Sequence, residues 1–346
     1  MDESLVAQSP MAHGRVTKMI GQSDAFQQAY RLLQRYAACN VPVLIEGDTG
    51  TGKELAAREI HYASARNLGP FVPVNCGALP DNLIESALFG HRRGAFTDAK
   101  SNEPGLVEYA RGGTLFLDEI DSLSSHAQTT LLRFLQSGEF RVVGEQPLRI
   151  ADVRVVAATN LSLATAVEAG HFRRDLFYRL NPLYVCLPAL REREGDVILL
   201  AKRLLCDAVM RLGIGPREWS AEALEALMHH PWPGNVRELE NLILRACMLS
   251  DLSIIGLPEL AQADPAIGAG HAPPGDMESP AQDINQGFTA AKQRAIRSFE
   301  RSYLIALMQR ADGNVSRAAR LSGTERRQLG KMLKRYGIEH HCLLAN

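Results

Sequence analysis

The sequence has no run of 18 apolar residues, and its amino terminus lacks the basic start and apolar core of a secretory signal. A membrane-spanning helix requires about 20 mostly apolar residues, and a secretory signal requires the apolar core. We therefore expect a cytoplasmic protein that makes no use of a membrane.

Cysteine is scarce and follows no pattern. The six cysteines form no C-x-x-C pair and show no metal-ligand spacing. This usage is typical of reduced thiols in a cytoplasmic protein. Internal repeats are also absent from the sequence.

Net charge is nearly absent, at −1, but the charges are unevenly distributed. From Ala291 onward there are 12 Lys and Arg against 4 Asp and Glu, a net charge of +8, whereas the first 290 residues carry −9. A basic end on an acidic body indicates an anionic partner for that end, most commonly nucleic acid.

The length of 346 residues, 46% of them hydrophobic, favours two or three folded units. Helix-length segments separate short apolar runs at 41–45, 71–74, 114–117, 153–157 and 183–187. This alternation predicts an α/β fold with a mostly parallel sheet that is covered on both faces. We expect five segments: a tail (1–19), an α/β subdomain (20–187), a helical subdomain (188–255), a linker (256–290) and a basic all-α domain (291–346).

The loop after the first apolar run matches the G-x-x-x-x-G-K pattern between a strand and a helix. It comprises Gly47, Asp48, Thr49, Gly50, Thr51, Gly52 and Lys53. That context favours a phosphate loop over a plain glycine-rich turn. Backbone N–H groups would converge on phosphate oxygens, and Lys53 would reach the β- and γ-phosphates. Glu54 stands where the general motif has a Ser or Thr ligand for Mg²⁺, so the metal would need other ligands or water.

The third apolar run ends in two carboxylates, Asp118 and Glu119. Such a pair is by itself compatible with a solvated turn. Beside a phosphate loop, however, Asp118 would bind Mg²⁺ and Glu119 would orient and deprotonate an attacking water. The two patterns together predict ATP and Mg²⁺ as the cofactors.

Seven stretches together resemble one family, the bacterial enhancer-binding proteins, which are the AAA+ ATPase activators of sigma-54 RNA polymerase. The stretches are 47–54, 88–91, 94–99, 112–121, 172–180, 190–194 and 232–239. The resemblance implies an AAA+ P-loop sheet with a helical lid over residues 20–249, and a Fis-type helix-turn-helix in the carboxyl-terminal segment. Glu54 is the usual residue of the family at its position.

The resemblance also implies roles for single residues around the nucleotide. Asn75 matches the residue that restrains Glu119 until the γ-phosphate is sensed. Thr159 and Asn160 match the sensor of that phosphate. Arg237 matches a second sensor, which ties the lid to the nucleotide.

Two further arginines, Arg173 and Arg179, match arginine fingers that enter the site of a neighbouring subunit. Arginines at this spacing are otherwise often a solvated face. The match implies that the protein is a homo-oligomer, from dimer to hexameric ring, and that the isolated monomer hydrolyses ATP poorly.

The family contacts sigma-54 through a Gly-Ala-Phe-Thr-Gly-Ala loop, and this chain departs from that pattern at one position. Its loop comprises Gly94, Ala95, Phe96, Thr97, Asp98 and Ala99. From the residues alone, Phe96 is either an exposed adhesive tip or is tucked under its own turn. Because Asp tolerates left-handed backbone better than most residues, we interpret Asp98 as a tolerated variant.

The basic end has two short helical patterns, 315–321 and 325–336, around Ser322-Gly323. This spacing predicts a helix-turn-helix, in which the second helix reads base edges. The predicted DNA-binding residues are Arg317, Arg320, Thr324, Arg326, Arg327, Gln328 and Lys331. An apolar stripe over 296–307 could pair two copies on an imperfect palindrome.

The sequence therefore predicts a sigma-54-dependent activator that binds upstream DNA and remodels the sigma-54 RNA polymerase holoenzyme at the expense of ATP. The alternative is a repressor or co-regulator that Asp98 has disconnected from sigma-54. A general AAA+ unfoldase or helicase loader would explain the nucleotide site, but neither the Gly94 loop nor the helix-turn-helix. The short tail suggests that an amino-terminal regulatory domain is lacking and that a regulatory protein acts in trans.

Overall fold

The computed structural model of the protein describes residues 19–96, 99–269, 314–324 and 326–335, together with 304, 307, 308 and 311. The chain divides into two compact units, 1–271 and 272–346. Most of the predicted tail, Thr97 and Asp98, the apolar stripe before residue 304 and the predicted linker after residue 269 lie outside the described residues.

A parallel five-stranded sheet forms the centre of the first unit. Its strands are β1 (Val43–Glu46), β2 (Phe71–Asn75), β3 (Thr114–Asp118), β4 (Arg154–Thr159) and β5 (Leu183–Cys186). They lie in the order β2-β3-β4-β1-β5, and every neighbouring pair is parallel. The α/β prediction is confirmed, and each strand overlaps one of the five apolar runs.

Helices cover both faces of this sheet. They are α1 (Asp24–Ala37), α2 (Lys53–Tyr62), α3 (Ile84–Phe89), α4 (Leu106–Tyr109), α5 (Ser125–Ser137), α6 (Leu163–Glu168) and α7 (Arg174–Leu180). Successive residues of β1 enter opposite cores. Val43 and Ile45 pack in the same core as residues of α1 and α2, whereas Leu44 joins residues of α5 and α7. Full burial of each such side chain contributes roughly 1.5–3 kcal/mol, which explains why β1 is apolar throughout.

Two short antiparallel pairs project from the α/β subdomain, Gly90–His91 with Glu103–Pro104 and Glu139–Phe140 with Arg149–Ile150. The first pair flanks the loop that contains Phe96. No pattern in the sequence predicted these pairs, because two residues are too few to show an alternation.

The helical lid contains α8 (Asp196–Leu212), α9 (Ala221–His229), α10 (Asn235–Leu249), α11 (Leu257–Ala263) and α12 (Pro265–Ala269). Helical patterns in the sequence over 196–212 and 221–229 predict these bounds of α8 and α9. The predicted start of the linker at residue 256 is corrected, since Leu260, Ala263 and Ile267 are buried in the lid core. The folded lid therefore extends to Ala269.

The second unit contains α13 (Val315–Ser322) and α14 (Arg326–Arg335). Asn314 caps α13, because its Oδ1 accepts hydrogen bonds from the N–H groups of Ser316 and Arg317. Gly323 ends α13 at φ +65°, a conformation that costs glycine little. The described core of this unit comprises Leu304, Leu307, Met308, Ala311, Ala318, Ala319, Leu329 and Leu333.

Within the described part of the chain, no helix has the length and hydrophobicity that a membrane crossing requires.

Candidate nucleotide site

The predicted phosphate loop joins β1 to α2 at the carboxyl edge of the sheet. Gly50 and Gly52 have φ values of +81° and +97°, and Gly52 directly precedes the first residue of α2. The Thr51 Oγ1 donates to the Asp48 carbonyl oxygen at 2.8 Å, which closes the turn. The loop thus presents the start of a helix, where free N–H groups and the helix dipole favour a phosphate.

Lys53 is the most heavily bonded side chain of this loop, and it is only 7% exposed. Its Nζ donates to the carbonyl oxygens of Gly47 and Asp48 at 2.7 and 3.1 Å, and to the Asn160 Oδ1 at 2.6 Å. Burial lowers the pKa of Lys53, and the carboxylates of Asp118 and Asp121 oppose that shift. The ammonium group is therefore largely removed from solvent, where an anion would be bound strongly.

Asp118 ends β3 and is half-buried. Burial raises its pKa, although the N–H of Glu119 donates to its Oδ1 at 3.0 Å. In the described part of the chain, no group of three or more His, Cys, Asp or Glu could hold a metal ion. A metal here would therefore take one or two carboxylates and complete its shell from phosphate oxygens and water, which is the habit of Mg²⁺.

Glu119 adopts φ +54°, in the left-handed region that non-glycine residues rarely occupy. A Cβ added to Gly77 would lie 3.1 Å from the Glu119 Oε2 and 3.3 Å from the Asn75 Oδ1. The two side chains therefore approach the same point beside Gly77, where a larger residue would press on both.

Asn75 lies beside Asp118 in the register of β2 and β3. Its Oδ1 accepts from the Ala78 N–H at 3.2 Å and so caps the short 3₁₀ helix Cys76–Ala78. Among the described hydrogen bonds there is none between Asn75 and Glu119. The predicted restraint of Glu119 by Asn75 is thus limited to proximity in this conformation.

Thr159 and Asn160, the predicted sensor, lie at the end of β4, between β1 and β3. The Thr159 hydroxyl contacts the Asp121 Oδ1 at 2.8 Å, and the Asn160 N–H donates to the same oxygen at 3.4 Å. Sequence reasoning missed Asp121 as a member of the site. Its position two residues after Glu119 was the available signal, but a third carboxylate alone does not indicate its partner.

A cleft of about 970 Å³ opens between the phosphate loop and the lid. Its lining includes Thr51, Gly52 and Leu55 on one side, and Leu200, Leu204, Val236 and Leu244 of α8 and α10 on the other. This volume lies within the range of small-molecule sites. The predicted second sensor, Arg237, has its Cβ near Gly50, since a Cβ added to Gly50 would lie 3.1 Å from it.

The two predicted arginine fingers are exposed side chains of the α7 segment. The Arg173 guanidinium is paired with Asp175 at 3.0 and 2.8 Å. The Arg179 guanidinium donates to the carbonyl oxygens of Leu135 and Gln136 at 2.9 and 3.0 Å. In the described part of the chain, neither guanidinium has a hydrogen-bond partner in the phosphate loop or at Asp118 and Glu119.

The predicted sigma-54 loop is described at Gly94, Ala95, Phe96 and Ala99. The Phe96 ring is half-buried and lies 4.9 Å, centroid to centroid, from the ring of His91. A Cβ added to Gly144 would lie 2.9 Å from the Ala95 Cβ, so the connection between strands 139–140 and 149–150 packs closely against this loop. Of the two alternatives for Phe96, this conformation is nearer to the tucked one.

The predicted DNA-binding side chains lie mainly on exposed positions of the second unit. The exposed set comprises Arg317, Arg320, Arg326, Arg327, Gln328 and Lys331. Thr324 is half-buried, and its hydroxyl contacts that of Ser322. On α14, Leu329 and Leu333 are buried while the basic residues are exposed, so one face of this helix is free for an anionic partner.

Three known families match consecutive parts of the chain. The family described as "Sigma-54 interaction domain" matches residues 19–186, "AAA+ ATPase lid domain" matches 191–269, and "Bacterial regulatory protein, Fis family" matches 295–336. The order of these families agrees with the α/β subdomain, the lid and the basic end.

Whole proteins are also similar to this chain. The chain is 42% identical over 338 residues to the DNA-binding transcriptional regulator NtrC of Azospirillum brasilense, covering 93% of this chain and 70% of that protein. It is 42% identical over 347 residues to the Nif-specific regulatory protein of Enterobacter agglomerans, covering 98% of this chain but only 64% of that protein.

Among solved structures, the chain is similar to NtrX from Brucella abortus in complex with ATP. The sequence identity is 33% and the TM-score 0.64, with 92% of this chain and 69% of that one covered. The fold, the succession of domains and these relatives agree: the chain belongs to the family of sigma-54-dependent transcriptional activators, in which an AAA+ ATPase domain with its lid is followed by a Fis-type helix-turn-helix.

Proposed function

We propose that this protein acts in the cytoplasm as a sigma-54-dependent activator. It binds upstream DNA, assembles into a ring and uses the hydrolysis of ATP to ADP and phosphate to convert the closed complex of the sigma-54 RNA polymerase holoenzyme into an open one. The observation that carries the proposal is the contact of Lys53 with Asn160. That contact joins the phosphate loop to the sensor at the sheet edge where Asp118 and Glu119 also lie.

In this proposal the residues of the edge divide the work of hydrolysis. The Lys53 ammonium, which donates to the Asn160 amide here, donates instead to the β- and γ-phosphate oxygens. Asp118 would hold Mg²⁺, which would neutralise phosphate charge when bound. The Glu119 carboxylate orients a water and accepts its proton as the water oxygen bonds to the γ-phosphorus and the bond to ADP breaks.

The remaining groups report the state of the γ-phosphate. Loss of the phosphate returns Asn160 to Lys53, and Asp121 links that change to Thr159. Arg173 and Arg179 leave their present partners and enter the site of the neighbouring subunit, where their positive charge stabilises the transferred group. A ring, which the resemblance predicts to be hexameric, is then required for fast turnover.

The remodelling step belongs to the loop from Gly94 to Ala99. Phe96 and Thr97 contact sigma-54 once the Phe96 ring leaves His91. DNA is bound by α13 and α14, with Arg326, Arg327 and Gln328 at base edges and Arg317, Arg320 and Lys331 at phosphates.

The test is open-complex formation on a sigma-54 promoter with purified protein, sigma-54 holoenzyme and ATP. The wild type should melt the promoter, and Phe96→Ala should abolish melting while retaining ATP hydrolysis and DNA binding. Leu68→Ala is the matched control, because Leu68 is 99% exposed on the connection between α2 and β2. A wild-type protein that binds DNA and hydrolyses ATP but never melts the promoter would instead support the repressor alternative, which the comparisons do not favour.

A further inference from the structure

Three non-glycine residues in the described part of the chain have positive φ values: Glu119 at +54°, Trp232 at +49° and Asn235 at +54°. Such conformations cost free energy and are concentrated at functional sites. Glu119 belongs to the carboxylate pair of the nucleotide site. Trp232 and Asn235 flank the turn before α10, and the function proposed above leaves Asn235 without a role.

The Asn235 side chain bridges the phosphate loop and the lid. It is 0% exposed, its Oδ1 accepts from the Leu190 N–H at 2.7 Å, and its Nδ2 donates to the Thr49 carbonyl oxygen at 2.9 Å. Leu190 begins the 3₁₀ helix that leads into the lid, and Asn235 itself begins α10. One amide group thus holds three segments that are far apart in the sequence.

The next residue extends this contact along the phosphate loop. The Val236 N–H donates to the Gly50 carbonyl oxygen at 3.1 Å. A Cβ added to Gly50 would lie 2.3 Å from the Gly234 carbonyl oxygen, so the turn before α10 packs directly on the loop backbone. The Thr49 and Gly50 carbonyl groups are therefore both directed at the lid.

The direction of these carbonyl groups matters because no peptide bond among the described residues is cis. In a trans peptide the C=O and the following N–H point in opposite directions. Fixing the Thr49 carbonyl towards Asn235 therefore fixes the Gly50 N–H away from the lid. A phosphate loop binds its ligand through such N–H groups.

A second link between loop and lid, the ion pair of Asp48 with Arg191 at 3.1 Å, has both side chains about half exposed. Exposed ion pairs contribute little. The buried Asn235 amide is therefore the stronger of these two side-chain links.

We propose that Asn235 is a positioning residue that orients the Thr49–Gly50 peptide for phosphate binding and couples this peptide to the helix bearing Arg237. The proposal rests on nucleotide binding at the phosphate loop, as proposed above. In this role Asn235 transmits the presence of a phosphate to the lid without touching the nucleotide.

The sharpest variant is Asn235→Asp. It has nearly the same shape, retains the acceptor for the Leu190 N–H and tolerates the left-handed backbone, but it has no donor for the Thr49 carbonyl. A buried acceptor left without a donor should weaken binding of the fluorescent analogue mant-ADP by about tenfold. Asn235→Gly keeps the backbone conformation without adding a charge, so a similar loss in both variants excludes the carboxylate charge as the cause.

The coupling is measured by combining each variant with Arg237→Ala. Arg237→Ala should weaken mant-ADP binding severalfold in the wild type and by less than about twofold in the Asn235 backgrounds. If Asn235 only supported the fold, Arg237→Ala would weaken mant-ADP binding by the same factor in every background. Asn67→Asp, an exposed Asn-to-Asp change between α2 and β2, is the matched control and should bind as the wild type does.

Wild-type affinity in both Asn235 variants, or an equal Arg237 factor in all backgrounds, would overturn the proposal while leaving nucleotide binding intact. Failure of the wild type to bind mant-ADP would refute the proposed function instead. If neither Asn235 variant folds, hydrogen exchange of the wild type decides. On addition of ADP, amides of 49–53 and 234–238 should gain protection together, and a gain confined to 49–53 would contradict the coupling.

Discussion

The phosphate loop and the α7 surface hold their cations in opposite ways. Lys53 is buried and donates to three oxygen atoms within its own subdomain. Arg173 and Arg179 are exposed, and their partners are a carboxylate two residues away and two carbonyl groups at the end of α5. A single chain thus has a preorganised binding site, whereas the arginines are bound only by groups that water can replace.

This difference indicates where ring assembly should act. Burial lowers the pKa of Lys53, and a bound phosphate would stabilise its ammonium group. Nucleotide binding should therefore need no second subunit. The arginines would exchange weak, exposed contacts for contacts with a nucleotide phosphate bound to the neighbouring subunit, and breaking the present contacts costs little free energy. In the proposed function, nucleotide binding needs only the monomer and hydrolysis needs the oligomer, so variants should affect the two separately.

The largest effect is expected for Arg179→Ala. An arginine finger contributes about 10³–10⁵ in turnover, so homogeneous Arg179→Ala protein should bind mant-ADP normally but hydrolyse ATP at least about 10³-fold more slowly. In mixtures with the wild type, the variant should lower the activity of the shared ring by more than its fraction. Arg174→Ala, on the same helix, is the control. Mixing Arg179→Ala protein with Glu119→Gln protein, whose Arg179 is intact, should restore part of the turnover, and no restoration would show that Arg179 acts within its own chain.

Glu119→Gln should have the next largest effect. Loss of the group that accepts the proton from water should reduce turnover by about 10²–10⁴-fold, while mant-ADP affinity stays within about twofold because the side chain does not contact Lys53. Steady-state phosphate release and equilibrium fluorescence measure the two quantities. Glu168→Gln, an exposed change at the end of α6, should alter neither. Normal hydrolysis by Glu119→Gln would refute the catalytic assignment.

The elements of this comparison differ in how far the sequence predicts them. The phosphate loop and the strand before Asp118 could be predicted because each function requires a local pattern: glycines at fixed spacing, or apolar residues followed by a carboxylate. The helices α8 and α9 could be predicted because their buried faces repeat with the helical period.

The contacts of Asp121 and Asn235 could not be predicted in this way. Asn235 donates to a carbonyl 186 residues away, and such a pairing depends on how the lid packs rather than on any neighbouring residue. The start of the linker was misplaced for a related reason. Segment 256–269 contains Pro and Gly, and only its packing against α9 and α10 makes it part of the lid.

A smaller effect, on stability, is expected for Asp118→Asn. Burial raises the pKa of Asp118 above its ordinary value of 3.8. The protonated Asp118 carboxyl group stabilises the fold fully below pH 3.8, and this stabilisation is lost as the pH rises through the raised pKa. The charged carboxylate therefore destabilises the fold at neutral pH. The neutral amide should therefore raise the thermal midpoint by about 2–5 °C near pH 8, with a difference that shrinks below pH 4.

Thermal unfolding without nucleotide measures this effect, and the same variant should hydrolyse ATP very slowly. Asp251→Asn, at an exposed position after α10, should leave the midpoint unchanged at both pH values. If Asp118→Asn lowered the thermal midpoint near pH 8, other groups of the protein would already balance the charge of the carboxylate. The site would then not need a bound cation.

The smallest effect on stability is expected at the loop that contains Phe96. There the change should instead increase the local motion of the loop. Arg92, at the base of this loop, donates to the Glu145 carboxylate at 3.0 Å through its Nε, and this contact lowers the pKa of Glu145. Because the Arg92 side chain is 44% exposed, Arg92→Ala should change the thermal midpoint by less than about 2 °C. Hydrogen exchange of residues 90–104 should nevertheless become faster above pH 5, where Glu145 is charged, and approach the wild-type rate as the pH falls through the lowered pKa.

Arg66→Ala, which breaks the pair with Asp152 far along the chain, should leave that exchange unchanged. Unchanged hydrogen exchange of this loop in Arg92→Ala would show that the packing of Phe96 on His91 and of Ala95 on Gly144 is sufficient to hold it. The loop would then be preorganised, as the phosphate loop is, rather than weakly held, as the two arginines are.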